Sequence, residues 1–177
     1  MVRIITGKYG SRRLKTPGNK SVRPTKDRVK ESIFNKLFNF VDSYGNKKIL
    51  DLFAGTGNFG LECLSRGAGH VTFVDNDYKQ IKMIKQNIAK LGINSDKVAV
   101  IKANALQLEY NDFNPDIIFA DPPYKMERLD KLFNRFRELE EGKIIIFEIS
   151  RHFDIPEDFK KYLISQKEYG FTKVNIF

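Results

Sequence analysis

The stretch Ile49-Leu-Asp-Leu-Phe-Ala-Gly-Thr-Gly-Asn-Phe-Gly60 constrains the fold more than any other part of this chain. A short apolar run, 49–53, reads as a buried strand, 54–57 as a glycine-rich turn and 59–65 as a helix. Strand, glycine turn and helix, in that order, is how α/β sheets build a nucleotide-sized pocket. Glycine lets the backbone approach a ligand, and the first turn of the helix offers it free N–H groups. The spacing Gly55-x-Gly57-x-x-Gly60 also fits a dinucleotide fingerprint, and a tight turn without a ligand fits it as well. The stretch points to the fold class and leaves the ligand open.

From residue 47 onward, strand and helix patterns alternate. Residues 70–74 form a β-rich run ending at Asp75, and 79–91 carry Ile81, Ile84, Ile88 and Leu91 at helical spacing before Gly92. Strands are predicted at 98–101, 115–120 and 144–149, the last being expected to be the most buried, with a helix over 129–139. Near-continuous apolar strands joined by helices imply a parallel sheet covered on both faces. Two final strands, 162–167 and 172–177, are joined too closely for anything but antiparallel pairing. The expected fold is α/β, a Rossmann-like and mostly parallel seven-stranded sheet with an antiparallel C-terminal strand.

Residues 1–46 read as a separate basic extension and 47–177 as the α/β domain. In the extension, 2–6 and 12–16 suggest a small hairpin around a turn at 7–10. Thr25, after Pro24, is a plausible N-cap of a helix whose apolar stripe is Val29, Ile33, Phe34, Leu37, Phe38 and Val41. Its other face carries Lys26, Arg28, Lys30 and Lys36. Charge sets this part of the chain apart. Residues 1–50 hold 13 Lys and Arg against 3 acids, whereas the remaining 127 hold 18 against 19, within an overall net charge of +9. Such concentration favours a polyanionic partner, nucleic acid first.

A single cysteine, Cys63, between Leu61 and Leu64, reads as small core filler. One cysteine and two histidines are too few for a zinc site, so no metal is expected. No apolar run approaches the ~20 residues of a membrane span. With no signal-peptide pattern at the start, a soluble cytoplasmic protein is expected.

The unusual residues gather at predicted strand ends. Asp51 lies beside the glycine turn, and Asp75 ends the second strand, where a carboxylate can take both hydroxyls of a ribose. Asn104-Ala105 follow the third strand and Asp121-Pro-Pro-Tyr124 the fourth. Adjacent prolines fix φ and remove N–H donors, which leaves their carbonyls rigidly presented. A carboxylate (Asp121) and a carbonyl (Pro122) that accept both N–H bonds of an exocyclic base amine favour a pyramidal nitrogen with a localised lone pair. Tyr124 offers a flat face for stacking the base, a contact worth ~1–3 kcal/mol.

Asp51-Leu-Phe-Ala-Gly-Thr-Gly57 resembles motif I of class I S-adenosylmethionine-dependent methyltransferases, and Asp121-Pro-Pro-Tyr124 resembles the motif of those that methylate exocyclic amines. The opening is more specific: Arg3-Ile-Ile-x-Gly7, Gly10-x-Arg12-Arg-Leu14 and Arg23-Pro-Thr-x-Asp-Arg-Val-x-Glu31-x-x-Phe34-Asn35. With Tyr169-Gly-Phe-Thr172, these motifs make the chain similar from end to end to the bacterial 16S rRNA guanine-N(2) methyltransferase family. The resemblance implies S-adenosyl-L-methionine as cofactor, held by Asp51, Phe53, Ala54, Gly55, Gly57, Asp75, Asn76, Asn104 and Ala105, with Thr25. It implies catalysis at Asp121, Pro122, Pro123 and Tyr124, and RNA contact through Arg3, Lys8, Arg12, Arg13, Arg23 and Arg28. The implied partner is 16S rRNA in the small ribosomal subunit or its assembly intermediate, met by a monomer. One departure is Asn104, where the family usually has Asp; its amide oxygen can still accept a bond.

Three rivals follow from the same residues. An adenine-N(6) methyltransferase acting on DNA shares the Asp-Pro-Pro-Tyr run but usually adds a recognition domain. An NAD-linked oxidoreductase would use the glycines and leave Asp121-Pro-Pro-Tyr124 unexplained. A non-enzymatic RNA-binding module explains the basic segment but not the furnished strand ends.

Overall fold

The structure, a computed structural model, describes residues 2–17, 24–41, 43–123, 126–139 and 141–177, with side chains in the first helix from Asp27 onward. One sheet holds seven strands: β1 (Lys48–Leu52), β2 (His70–Asp75), β3 (Val98–Lys102), β4 (Ile117–Ala120), β5 (Ile144–Ser150), β6 (Ser165–Tyr169) and β7 (Thr172–Ile176). Their order is β3-β2-β1-β4-β5-β7-β6. The first five are parallel, and β7 runs antiparallel to both β5 and β6. The helices that matter for the site are α1 (Pro24–Leu37), α2 (Asn58–Ser65), α3 (Tyr78–Leu91) and α4 (Leu129–Arg137). The expected Rossmann-like architecture is therefore present.

Strand alternation divides two cores. Ile49, Ile117 and Phe119 point into one, under α1, α2 and α3, and Leu50, Leu52, Ile118 and Ala120 point into the other. Sequence alternation vanishes in β1 and β4 because both faces are covered. Strands β4 and β7 are buried along their whole length and β1 at all but Lys48, whereas β5, expected to be the most buried, leaves Ile144, Glu148 and Ser150 partly exposed. In the first core, Phe59 stacks between Phe34 and Phe119, with ring centroids at 5.1 and 3.9 Å. That column ties α1 to α2 and to β4, one residue before Ala120. In the second, Phe133 of α4 meets Phe136, Phe147, Phe153, Phe159 and Phe177, mostly edge-on.

Several boundaries differ from expectation. Helix α1 already includes Pro24 and Thr25, so Thr25 is not its N-cap; its side chain lies outside the described residues. The helix ends at Leu37, so helical spacing no longer governs Phe38, which is 75% exposed, while Val41 returns to the core. The 2–6 and 12–16 pairing is real but short: a single bridge, Arg3 with Arg13, flanked by backbone bonds from Ile4 to Arg12 and from Leu14 to Val2. Helix α4 stops at Arg137, and β6 starts only at Ser165.

The basic segment is sewn onto the sheet rather than hung from it. Ile4, Tyr9 and Leu14 belong to the same core as β1 and β2. At Gly7, φ is +84° and an added Cβ would sit 2.0 Å from the Ser65 carbonyl oxygen, so only glycine fits against the end of α2. Next to it, Lys8 N–H donates to that oxygen and Tyr9 N–H to Ser65 Oγ. Glu62, fully buried on α2, accepts the N–H groups of Ile5 and Thr6 at 2.6 and 3.2 Å. It also pairs with Lys30 at 3.1 Å and Arg66 at 3.0 Å. Lys30, expected on a solvent or substrate face, is thus buried, and donates as well to Arg3 O and Asn58 Oδ1, each at 2.8 Å. Burial pulls its pKa down, while Glu62 opposes that shift. Cys63 is buried among apolar residues with its thiol pKa pushed up by burial, as expected of core filler.

Candidate functional site

Strand β1 pairs with β2 on one side and β4 on the other, so the chain reverses its direction of sheet growth between β1 and β4. A crevice opens beyond the carboxyl ends of strands at such a point. Leu52 lies opposite Ala120, so the residues that follow each, Phe53 and Asp121, leave the sheet side by side. The glycine turn and the Asp-Pro-Pro run therefore flank the same crevice.

The turn is built from left-handed backbone. Phe53, Gly55 and Gly57 have φ of +58°, +56° and +77°. A bulky residue at positive φ is an outlier that its surroundings must hold in place. Here Ala54 N–H is tied to Val74 O, Gly55 N–H to Asp75 Oδ2 at 2.9 Å, and Gly57 N–H to Ala54 O. The glycines differ in function. An added Cβ at Gly55 would meet nothing nearer than 3.9 Å, so that face is open. At Gly60 it would lie 2.4 Å from Phe73 and 2.7 Å from Val71, so Gly60 serves the close approach of α2 to β2.

Asp51 does not end its strand: Leu52 does, and the Asp51 side chain turns inward beneath α2. It is fully buried and accepts Gly60 N–H at 2.9 Å. Burial pushes its pKa from 3.8 up to about 8; the Gly60 bond opposes this, and the charges of Asp121 and Asp75 add to it. Asp75 and Asp121 thus lie near enough, at the β2 and β4 ends, for their charges to reinforce the upward shift of Asp51.

A small pocket is lined by Phe53, Asp75, Asn76, Ala103, Asn104 and Ala105. Five of these are residues the sequence singled out. Asp75 accepts one backbone bond on each oxygen, from Gly55 and from Asp77 at 2.9 Å, which leaves further lone pairs for a ligand. Asn104 is exposed, and its Oδ1 caps the short 3-10 turn at Ala105–Gln107 by accepting Leu106 N–H at 3.0 Å. Asn and Asp are both favoured at such a capping position. Ala54 and Gly57 complete the turn. Beyond β4, Pro122 is buried and Pro123 exposed, with Pro123 O accepting Met126 N–H at 2.8 Å.

The basic candidates lie on one segment. Arg3, Lys8, Arg12, Arg13 and Arg28 are all exposed, with Arg3 paired to Asp27 at 3.4 Å and Lys8 and Arg12 set around the Tyr9 ring. Tyr124 and Arg23 lie outside the described residues. Sequence reasoning passed over Glu62 and Asn87 and set Lys30 on the basic face of α1. Asn87, fully buried on α3, exchanges two bonds with the Lys15 backbone and donates to Thr56 O at 3.0 Å, which joins the basic segment to the glycine turn. A polar residue inside an apolar helical stripe, as with Asn87 and Glu62, was the available signal.

Residues 2–177 match the family described as Conserved hypothetical protein 95. A Bacillus subtilis protein named "Putative rRNA methyltransferase YlbH" is 37% identical over 184 residues, covering 99% of this chain and 98% of that protein. The Ribosomal RNA small subunit methyltransferase D of Haemophilus influenzae is 37% identical over 126 residues, which cover 70% of this chain and 64% of that protein. Among solved structures, "Putative methyltransferase yhhF" from Escherichia coli aligns with a TM-score of 0.79 at 29% identity, covering 99% of this chain and 96% of that one.

Proposed function

The chain belongs to the Conserved hypothetical protein 95 family, and on that footing we propose that it is an S-adenosylmethionine-dependent methyltransferase of small-subunit ribosomal RNA. The finer reading is transfer to the exocyclic N(2) amine of a guanine in 16S rRNA. One observation carries the proposal: Phe53 of the open glycine turn lines the acid-edged pocket at the β2 and β3 ends and leaves β1 beside the start of the Asp121-Pro-Pro run after β4. The names of the relatives, both rRNA methyltransferases, support the substrate class.

The residues suit this cofactor. The open face of Gly55 leaves room for a ligand against the backbone, and Asp75 retains acceptor capacity for ribose hydroxyls. Phe53, Asn76, Asn104 and Ala105 would hold the base end, and Ala54 and Gly57 the turn beside it. S-adenosylmethionine, when bound, supplies a methyl group already activated on a sulfonium.

What remains for the protein is alignment. Asp121 and the Pro122 carbonyl would accept the two N–H bonds of the guanine amine and so orient its lone pair for attack on the activated methyl group. Pro122 and Pro123 hold that carbonyl in place, and Tyr124 stacks the base. No strong base is needed, because the methylated ammonium sheds its proton readily. Arg3, Lys8, Arg12, Arg13, Arg23 and Arg28 neutralise phosphates around a base turned out of a hairpin loop. Calorimetric titration with S-adenosylmethionine and with NAD tests this reading: saturable binding of the first alone supports it, and preference for NAD overturns it.

A further inference from the structure

Helix α3 carries Lys79, Lys82, Lys85 and Lys90 and no acidic residue. The balanced charge of residues 51–177 hides this local excess. Lys79, Lys82 and Lys85 are exposed, and among the described residues no carboxylate forms an ion pair with them. Tyr78, at the first turn, is 66% exposed. Tyr78, Ile81, Lys82, Lys85, Gln86 and Ala89 line a groove of about 310 Å³. Their spacing puts them along one face of the helix, a stripe roughly 16 Å long at 1.5 Å per residue.

Both ends of this groove lead somewhere. At one, Lys90 Nζ donates to Arg13 O at 2.7 Å and Lys15 Nζ to Gln86 Oε1 at 3.5 Å, so the lysine stripe continues into Arg12, Arg13 and Lys15. At the other, Tyr78 follows Asp75, Asn76 and Asp77, at the rim of the candidate pocket. The helix therefore bridges the basic segment and the crevice with a cationic, aromatic-tipped surface.

We propose that this face of α3 is an RNA-binding surface that holds the single strand flanking the target nucleotide. Lys82 and Lys85 meet its phosphates and Tyr78 stacks one of its bases. Lysines alone would suit any polyanion. An exposed ring at the crevice end of the same groove suits a nucleic acid, whose bases stack on aromatic faces. The proposal rests on the reading above that the substrate is ribosomal RNA.

The test is equilibrium binding of the full chain to a protein-free, unmodified 16S rRNA hairpin across a salt series, without cofactor. The variants are Lys82→Gln with Lys85→Gln, Tyr78→Ala and Tyr78→Phe. The lysine pair is expected to weaken binding about tenfold and to reduce the log–log salt slope by about 1.4, at ~0.7 per contact on a single strand. Tyr78→Ala is expected to lose about tenfold with the slope unchanged, and Tyr78→Phe to restore it. S-adenosylmethionine affinity should stay at the wild-type value in all three. Parental affinity and slope in the lysine and alanine variants would overturn the proposal. A defect seen only on assembled subunits would also overturn it, because the partner would then be a ribosomal protein. So would a loss of cofactor affinity in Tyr78→Ala, which would assign the ring to the pocket. If the wild-type chain fails to bind S-adenosylmethionine, the proposed activity falls, while the RNA titration still decides this surface.

Discussion

Asp51 and Asp121 are both acids at the crevice, yet the two have different tasks. Asp51 is buried with its pKa raised to about 8, so the folded chain binds a proton there that the unfolded chain has released. Stability should therefore fall as pH rises from about 4 through 8. Asp51→Asn keeps an acceptor for Gly60 N–H and removes the titration, so its melting temperature should change less over that range and exceed the parent's at pH 8. Parallel melting curves against pH for the two proteins would remove Asp51 as the source. Asp121 follows the buried end of β4 and is partly exposed. Asp121→Ala should slow methyl transfer about a hundredfold with cofactor affinity nearly unchanged, because its bond strengthens only as the amine turns pyramidal. Equal losses in cofactor binding and single-turnover rate would move Asp121 to the cofactor side. Both acids were visible in the sequence, since a place beside the glycine turn or the proline run is a local property. That Asp51 faces inward, toward Gly60, was not, because the direction of a side chain in a doubly covered strand follows from packing.

At the scale of elements, the strand, turn and α2 helix form a unit whose three glycines divide the work. Gly55→Ala places a side chain in left-handed backbone on an open face, so it should cost about 1–2 kcal/mol in strain and lower S-adenosylmethionine affinity more than stability. Gly60→Ala must push α2 off Phe73 and Val71, so it should cost about 1–3 kcal/mol of stability even without ligand. Denaturant titrations alongside calorimetry separate the two, and equal stability losses would show that Gly55 is only structural. The unit was legible because its signals lie within 12 consecutive residues. The Lys30–Glu62 pair and the Asn87–Lys15 bonds span 32 and 72 residues of sequence, and no local period reports such contacts.

For the whole molecule, the basic segment and the sheet share one core, so an RNA bound by the first would meet a fixed place on the second. Arg12→Ala with Arg13→Ala should weaken RNA binding and flatten its salt dependence by about 1.4 in log–log slope. A parental slope would take both arginines off the phosphate path. Charge partition made the basic segment legible; its contacts with α3, from Lys90 to Arg13 and from Lys15 to Gln86, were not, because they depend on how distant segments meet. Transfer of labelled methyl from S-adenosylmethionine to unmodified small subunits, with mass-spectrometric identification of the nucleoside, tests the central claim most directly. The account predicts one modified nucleoside, N(2)-methylguanosine, in 16S rRNA. Methylated adenine, or no transfer by a chain that binds the cofactor, would contradict it.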